Sequence, residues 1–178
     1  MSMPSFLVQH TFDLKQLSPN SKPNYQPYVK LSFFFSKRPD ISHEDFHRHW
    51  ETVHADLAVA SKAFALNIKR YTQFHALPRC KEAAKTLIEG MELLEYDGCS
   101  EILVSSIEDA AAFFSSPEYI EKMNSKSMPR SRDEDNWLAR PVRFMIGYDN
   151  LIFGQGLPIP EATDGILPKD LETALGQE

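Results

Sequence analysis

The sequence predicts an α+β fold: a ferredoxin-like β-α-β-β-α-β unit with a four-stranded antiparallel sheet and its helices on one face. Three observations predict it. Four short segments rich in β-branched and aromatic residues are interleaved with segments of helical periodicity. Their order reads β-α-β, a connection, then β-α-β. The chain has 178 residues, 42% hydrophobic and 25% charged, enough for one domain with a core of its own.

Residues 1–27 are rich in Ser, Pro and Asn after an apolar piece, Phe6 to Leu14, and are expected to form an arm. Tyr28 to Ser36 (YVKLSFFFS) reads as the first strand, with Val29, Leu31, Phe33 and Phe35 on one side and Lys30, Ser32 and Phe34 on the other. Pro39-Asp40-Ile41-Ser42 then supplies a stop and an N-cap, and Asp45 follows Ser42 at capping-box distance. No Pro or Gly interrupts before Asn67, so one helix is expected from about Ser42 to Ala65. Ile68 to His75 is the second strand, with Tyr71, Gln73 and His75 in phase on one face.

The connection 78–96 contains a short helix, Cys80 to Ile88; Asp97-Gly98 is a turn and Ser100 to Ser105 the third strand. Ser106 caps a second helix that packs Ala110, Phe113 and Phe114, and Ser116-Pro117 starts another with Pro in its first turn. A polar loop, Ser125 to Asp135, and a turn through Trp137 lead to the fourth strand, Val142 to Tyr148. The domain proper is 28–152, and 153–178, with Pro158, Pro160 and Pro168, reads as an extended tail. The helices leave one sheet face bare although the strands carry apolar residues on both sides. That predicts a second subunit over the bare face, hence a homodimer.

Composition removes several function classes. A net charge of −6 and a pI near 5.5, with no Lys/Arg cluster, argue against a nucleic-acid partner. No basic segment followed by an apolar run opens the chain, and no span of about 18 apolar residues occurs, so no membrane association and a cytoplasmic location are expected. Cys80 and Cys99 stand alone, as reduced thiols. GxGxxG, P-loop, GxSxG and HExxH patterns are missing, so nicotinamide, nucleotide triphosphate and serine-hydrolase chemistry lose their usual signatures.

Four of the six histidines fall in HEDFHRHWETVHADL, residues 43–57. At about 100° per residue, His43, His47, Trp50 and His54 share a sector with Phe46, Val53 and Leu57, while His49 points the other way. Such a face borders a cavity more comfortably than a sealed interior. His43 and His47 have the i, i+4 spacing of zinc ligands, but no third ligand is near, so no metal is expected.

His54, in the middle of the helix, is the principal candidate for proton transfer, since a neutral imidazole can take a proton from carbon or a phenol and return it unaided. His75 is expected to approach it from the second strand, with His47 in support. The plainer alternatives are a core histidine bonded to a backbone carbonyl for His54, a helix-edge residue for His47 and a strand-end surface residue for His75. Trp50 is either a stacking wall for a flat substrate or core packing. Tyr71 and Gln73 share the His75 face, and Tyr28, Ser32 and Asp97 are weaker candidates for hydrogen bonding a polyphenol.

FFFSKRP, HEDFHRHWETVHADL, RYTQFH, YDGCSEILVSSIEDAAAFFSSPEY, DEDNWL and RFMIGYD, taken in order over about residues 28–152, resemble the EthD-type domain of the dimeric α/β-barrel superfamily. The Phe, Trp and His of FHRHWETVH match in spacing, and His54 matches the family histidine. The stretch 77–96 is longer than in compact members, and both termini are extended. The resemblance implies a dimer with a cofactor-free pocket between sheet and helices. It also implies a small-molecule aromatic substrate of polyketide type, because similar fungal members act as decarboxylases or dehydratases. The expected function is a cofactor-independent lyase, with the resemblance leaning slightly to decarboxylation over dehydration. A cofactor-free anthrone-type monooxygenase and a non-catalytic carrier of a hydrophobic intermediate are the alternatives.

Overall fold

The computed structural model describes residues 10–123 and 133–175. They fall into two compact units: Tyr28–Gly147, and the two flanking segments together.

The sheet of the first unit contains β1 (Val29–Lys37), β2 (Ile68–His75), β3 (Gly98–Val104) and β4 (Leu138–Gly147). The strand order is β2-β3-β1-β4 and every neighbouring pair is antiparallel, the ferredoxin-like arrangement. Phe33 sits opposite Ser100 on one side and Phe144 on the other; Leu31 sits opposite Ile102 and Ile146. The fourth strand begins at Leu138, four residues before the sequence places it.

The long helix departs from expectation in two ways. It starts as predicted, with the Ser42 hydroxyl accepting from the Asp45 amide at 3.0 Å, and runs as α1 (His43–His49). It then widens into a π-helical turn, Trp50–His54, before resuming as α2 (Ala55–Val59). The wider turn changes which way its own residues face, and Val53 within it, expected to face the core, is 47% exposed. The helix also ends early. Ser61 leaves the helical region, and its hydroxyl caps a separate α3 (Lys62–Asn67) through the Phe64 amide at 3.1 Å. A mid-helix serine offers the backbone this competing bond, which an uninterrupted periodicity does not reveal.

The connection carries α4 (Pro78–Ala84), which begins at its proline two residues before the predicted Cys80. Ser106 caps α5 (Ile107–Phe114) through Asp109, and Ser116 caps α6 (Pro117–Lys122) through Tyr119, both as predicted. The turn before β4 is α7 (Asp133–Trp137); the rest of the predicted polar loop, 125–132, lies outside the described residues.

Two clusters make the core. Val29, Leu31, Ile68, Ile102, Val104, Ala110 and Phe113 form one, and Phe35, Phe46, Trp50, Trp137 and Leu138 the other, with Phe33 packed against both. At roughly 1.5–3 kcal/mol per large apolar side chain removed from water, this burial sets the helix layer on one sheet face. On the opposite face, Lys30, Ser32 and Thr72 surround Glu101, with Phe34, Phe74 and Met145 around them.

The flanking segments form their own unit. The amide of Gln26 bonds Asp149 O, Asn24 Nδ2 reaches Leu151 O and Asp164 O, and Phe153 bridges to Ile166. The segment read as an extended tail instead folds back on itself and ends in α8 (Pro168–Leu175). Of the apolar piece Phe6 to Leu14, residues 6–9 lie outside the described residues. No helix among the described residues is long and apolar enough to cross a membrane.

Candidate active site

Between the sheet and its helices lies a cavity of about 280 Å³. Phe33 and Phe35 of β1, Tyr71 of β2, Ile102 of β3 and Val142 and Phe144 of β4 line one side. Ala58, Phe64, Phe113, Phe114, Tyr119, Met123 and Trp137 line the other. This wall of rings suits a flat apolar ligand. Its polar groups are few: His54, Tyr71, Tyr119, Glu134 and Arg140.

His54 is held by a carboxylate. Its Nδ1 lies 2.7 Å from Asp133 Oδ2, and its side chain is 13% exposed. Nε2 has no protein partner among the described residues, so an Nδ1–H tautomer donates to Asp133 and leaves the Nε2 lone pair available at the cavity. Asp133 also receives Trp137 Nε1 at 3.0 Å and His49 Nε2 at 2.6 Å. Burial acts to raise the Asp133 carboxyl, but the hydrogen bonds from His54, His49 and Trp137 outweigh it and keep it below the usual carboxylate range. An ionised, 6% exposed carboxylate can stabilise the imidazolium that forms when His54 takes a proton.

A second polar group lines the cavity. Tyr119 donates to Glu134 Oε1 at 3.3 Å, and Arg140 Nη2 lies 2.9 Å from Glu134 Oε2. Burial first, and then the adjacent Glu134, push the Tyr119 hydroxyl far above its ordinary range, so it stays protonated.

The expected approach of His75 to His54 is not what the structure brings together. His75 Nδ1 instead lies 2.8 Å from His47 Nδ1, and neither ring lines the cavity. Trp50 is fully buried, with its ring 4.3 Å from that of His75 and 4.9 Å from that of Phe35. It packs the core and is not among the cavity's lining residues. Tyr71 does reach the cavity, and Gln73 lies behind it, bonded to Tyr71 Oη at 2.9 Å. Ser32 lies on the far sheet face with Glu101; Tyr28 is buried, away from the cavity; Asp97 is held by Lys81 Nζ and the Lys37 amide.

Residues 38–141, more than half of the chain, match the family described as EthD domain. This chain belongs to the EthD domain family. The chain is also similar to a curated relative, "Dehydratase CTB10" of Cercospora beticola, 28% identical over 115 residues that cover 60% of this chain and 86% of that one. Among solved structures, the chain is similar to an EthD family protein of Bacillus halodurans (15% identity, TM-score 0.44, covering 68% of this chain and 98% of that one). It is also similar to a hydroxynitrile lyase of Passiflora edulis (15% identity, TM-score 0.45, covering 72% and 99%). These two structural likenesses are distant and carry no functional weight.

Sequence reasoning on this EthD chain missed Asp133, Tyr119, Glu134 and Arg140. The only signal for Asp133 was the run DEDNWL ahead of Trp137, and no local spacing links it to His54, 79 residues away. His49 was set aside by ideal α-helical angles; the π-helical turn between it and His54 brings both onto Asp133. Among the described residues no group of three His, Cys, Asp or Glu is placed to hold a metal ion. The Cys99 thiol is pushed up to about 11 by burial and by Glu101, which makes it a poor nucleophile.

Proposed function

We propose that this EthD-domain protein is a cofactor-independent lyase that removes water from a hydrophobic, aromatic, polyketide-type β-hydroxy ketone. The observation that carries the reading is the Asp133–His54 pair at the edge of an aromatic-lined cavity. His54 Nε2 takes the proton next to the ketone, and the C–H electron pair moves into an enolate. The enolate then expels the β-hydroxyl, which receives that proton from the imidazolium and leaves as water. The product is the enone, and the histidine returns to its neutral form. The relative named a dehydratase supports elimination over other reactions on the same scaffold.

Decarboxylation is the second reading, favoured by Arg140 at the cavity rim, a guanidinium that can pair with a substrate carboxylate. We further propose a homodimer closed through the sheet face opposite the helices, where Phe74 and Met145 are each 67% exposed around the Glu101 cluster. Pairing there gives the dimeric α/β barrel and removes these side chains from water.

The test is to incubate the purified protein with aromatic β-hydroxy ketones and with the corresponding β-keto and o-hydroxy acids, following water loss, CO2 release and O2 uptake together. The proposal requires an enone with neither gas exchanged. CO2 release instead selects the second reading, O2 uptake indicates an oxygenase, and binding without turnover indicates a carrier.

A further inference from the structure

The hydrogen bonds behind the cavity wall have one consistent direction. Gln73 Nε2 lies 2.9 Å from the Trp50 carbonyl oxygen, which can only accept, so this end of the side chain is the amide nitrogen. The second hydrogen of that nitrogen goes to Tyr71 Oη, also at 2.9 Å. Gln73 Oε1 is then the acceptor for His75 Nε2–H at 3.1 Å. The bare His75 Nδ1 accepts from His47 Nδ1–H at 2.8 Å. Two histidines and a glutamine, none lining the cavity, thereby lock one another's tautomers and rotamers.

The consequence falls on Tyr71. Its oxygen receives Gln73 Nε2–H and, at 3.3 Å, Trp50 Nε1–H, and neither nitrogen can accept a bond in return. The Tyr71 proton therefore has no acceptor behind the wall, and no described protein group accepts it elsewhere. Tyr71 is one of the residues that line the cavity, where a bound ligand can supply the acceptor that the protein does not. Accepting two bonds also strengthens the one it donates, because chained hydrogen bonds polarise each other.

We infer that Tyr71 is a substrate-binding donor that gives its hydroxyl hydrogen to the carbonyl oxygen of an aromatic ketone, with Gln73, His75 and His47 as positioning residues behind it. The inference rests on the aromatic-ketone reading above and adds to it the atom that holds the carbonyl. As the enolate forms, its charge builds on the oxygen that Tyr71 already contacts, so the bond strengthens where the barrier is highest. A phenol held by two fixed donors needs little reorganisation to do this.

The test uses 9-fluorenone and fluorene, the same rings with and without a carbonyl, bound to the wild-type chain and to Tyr71→Phe. The ratio of fluorenone to fluorene affinity should fall about 3- to 10-fold in Tyr71→Phe, the effect of one neutral hydrogen bond. The infrared carbonyl stretch of bound fluorenone should lie at lower wavenumber in the wild type and return upward in the variant. Fluorene binding reports on folding, and Gln73→Leu should reproduce part of both effects. Equal ratios and an identical stretch in the two proteins would overturn the role of Tyr71 while leaving the lyase reading in place. A stretch that depends on Tyr71 in a protein that eliminates no water would overturn the lyase reading alone. A wild-type protein that binds neither compound overturns both.

Discussion

Asp133 Oδ2 lies 2.7 Å from His54 Nδ1, joining the start of α7 to the π-helical turn that follows α1. An imidazole alone can hold either tautomer and can rotate. Fixed at Nδ1 by an ionised carboxylate, it keeps the Nε2 lone pair free and has a counter-charge at hand should it be protonated.

Asp133→Asn keeps the shape of the side chain and removes the charge. Turnover is expected to fall by about 10²-fold or more, while affinity for a flat ligand changes little. The double variant with His54→Ala should be scarcely slower than His54→Ala alone, because the two residues act as one unit. Steady-state kinetics on all three variants checks this. Additive losses would show that Asp133 serves only the fold.

Gly98 is placed where a side chain cannot go. A Cβ at this position would meet the Trp50 ring at 2.5 Å and 2.7 Å and the Phe35 ring at 3.1 Å. Trp50 is enclosed by Phe35, Phe46, His75 and Trp137 and has nowhere to move. Gly98→Ala should destabilise the fold by about 1–3 kcal/mol, read from urea unfolding at unchanged m-value. A neutral substitution would mean that the Trp50 packing is looser than described.

The strands, their order and the faces of β1 were legible from alternation and turn residues, because those signals are local. Ser42, Ser106 and Ser116 announced three caps for the same reason. That His54 faces a cavity was legible from helical periodicity. Asp133 was not, because a contact spanning 79 residues leaves no trace in spacing. The π-helical turn was equally hidden, and with it the inward turn of His49 and the outward turn of Val53. His75 was placed on the correct strand face, but its partner depends on which turn of the helix crosses that strand end, and the crossing brings His47 there.

Burial lowers both His47 and His75 from their ordinary 6.5, and for His47 the neighbouring His75 and His43 add to the effect, against weaker opposition from Asp97 and Glu51. The unfolded chain therefore takes up these protons first as the pH falls. Stability should be full above about pH 6.5 and decline as the pH drops through the window below it. Thermal unfolding between pH 7.5 and 5 checks the sign. His47→Phe, which removes one member of the pair, should flatten the profile in that window, and an unchanged profile would contradict the assignment.

If two copies close over the far sheet face, Phe74→Glu with Met145→Glu should convert a dimer to a monomer in sedimentation velocity, since two added charges per copy would be forced together out of water. A wild-type chain that sediments as a monomer at micromolar concentration would remove the dimer from the proposal.

The most direct measurement compares wild type and His54→Ala in single-turnover elimination of water from an aromatic β-hydroxy ketone, with ligand affinity measured alongside. The predicted result is a rate lowered about 10²- to 10⁴-fold with affinity changed only a few-fold. A variant that still forms the enone at the wild-type rate would show that the proton is handled elsewhere.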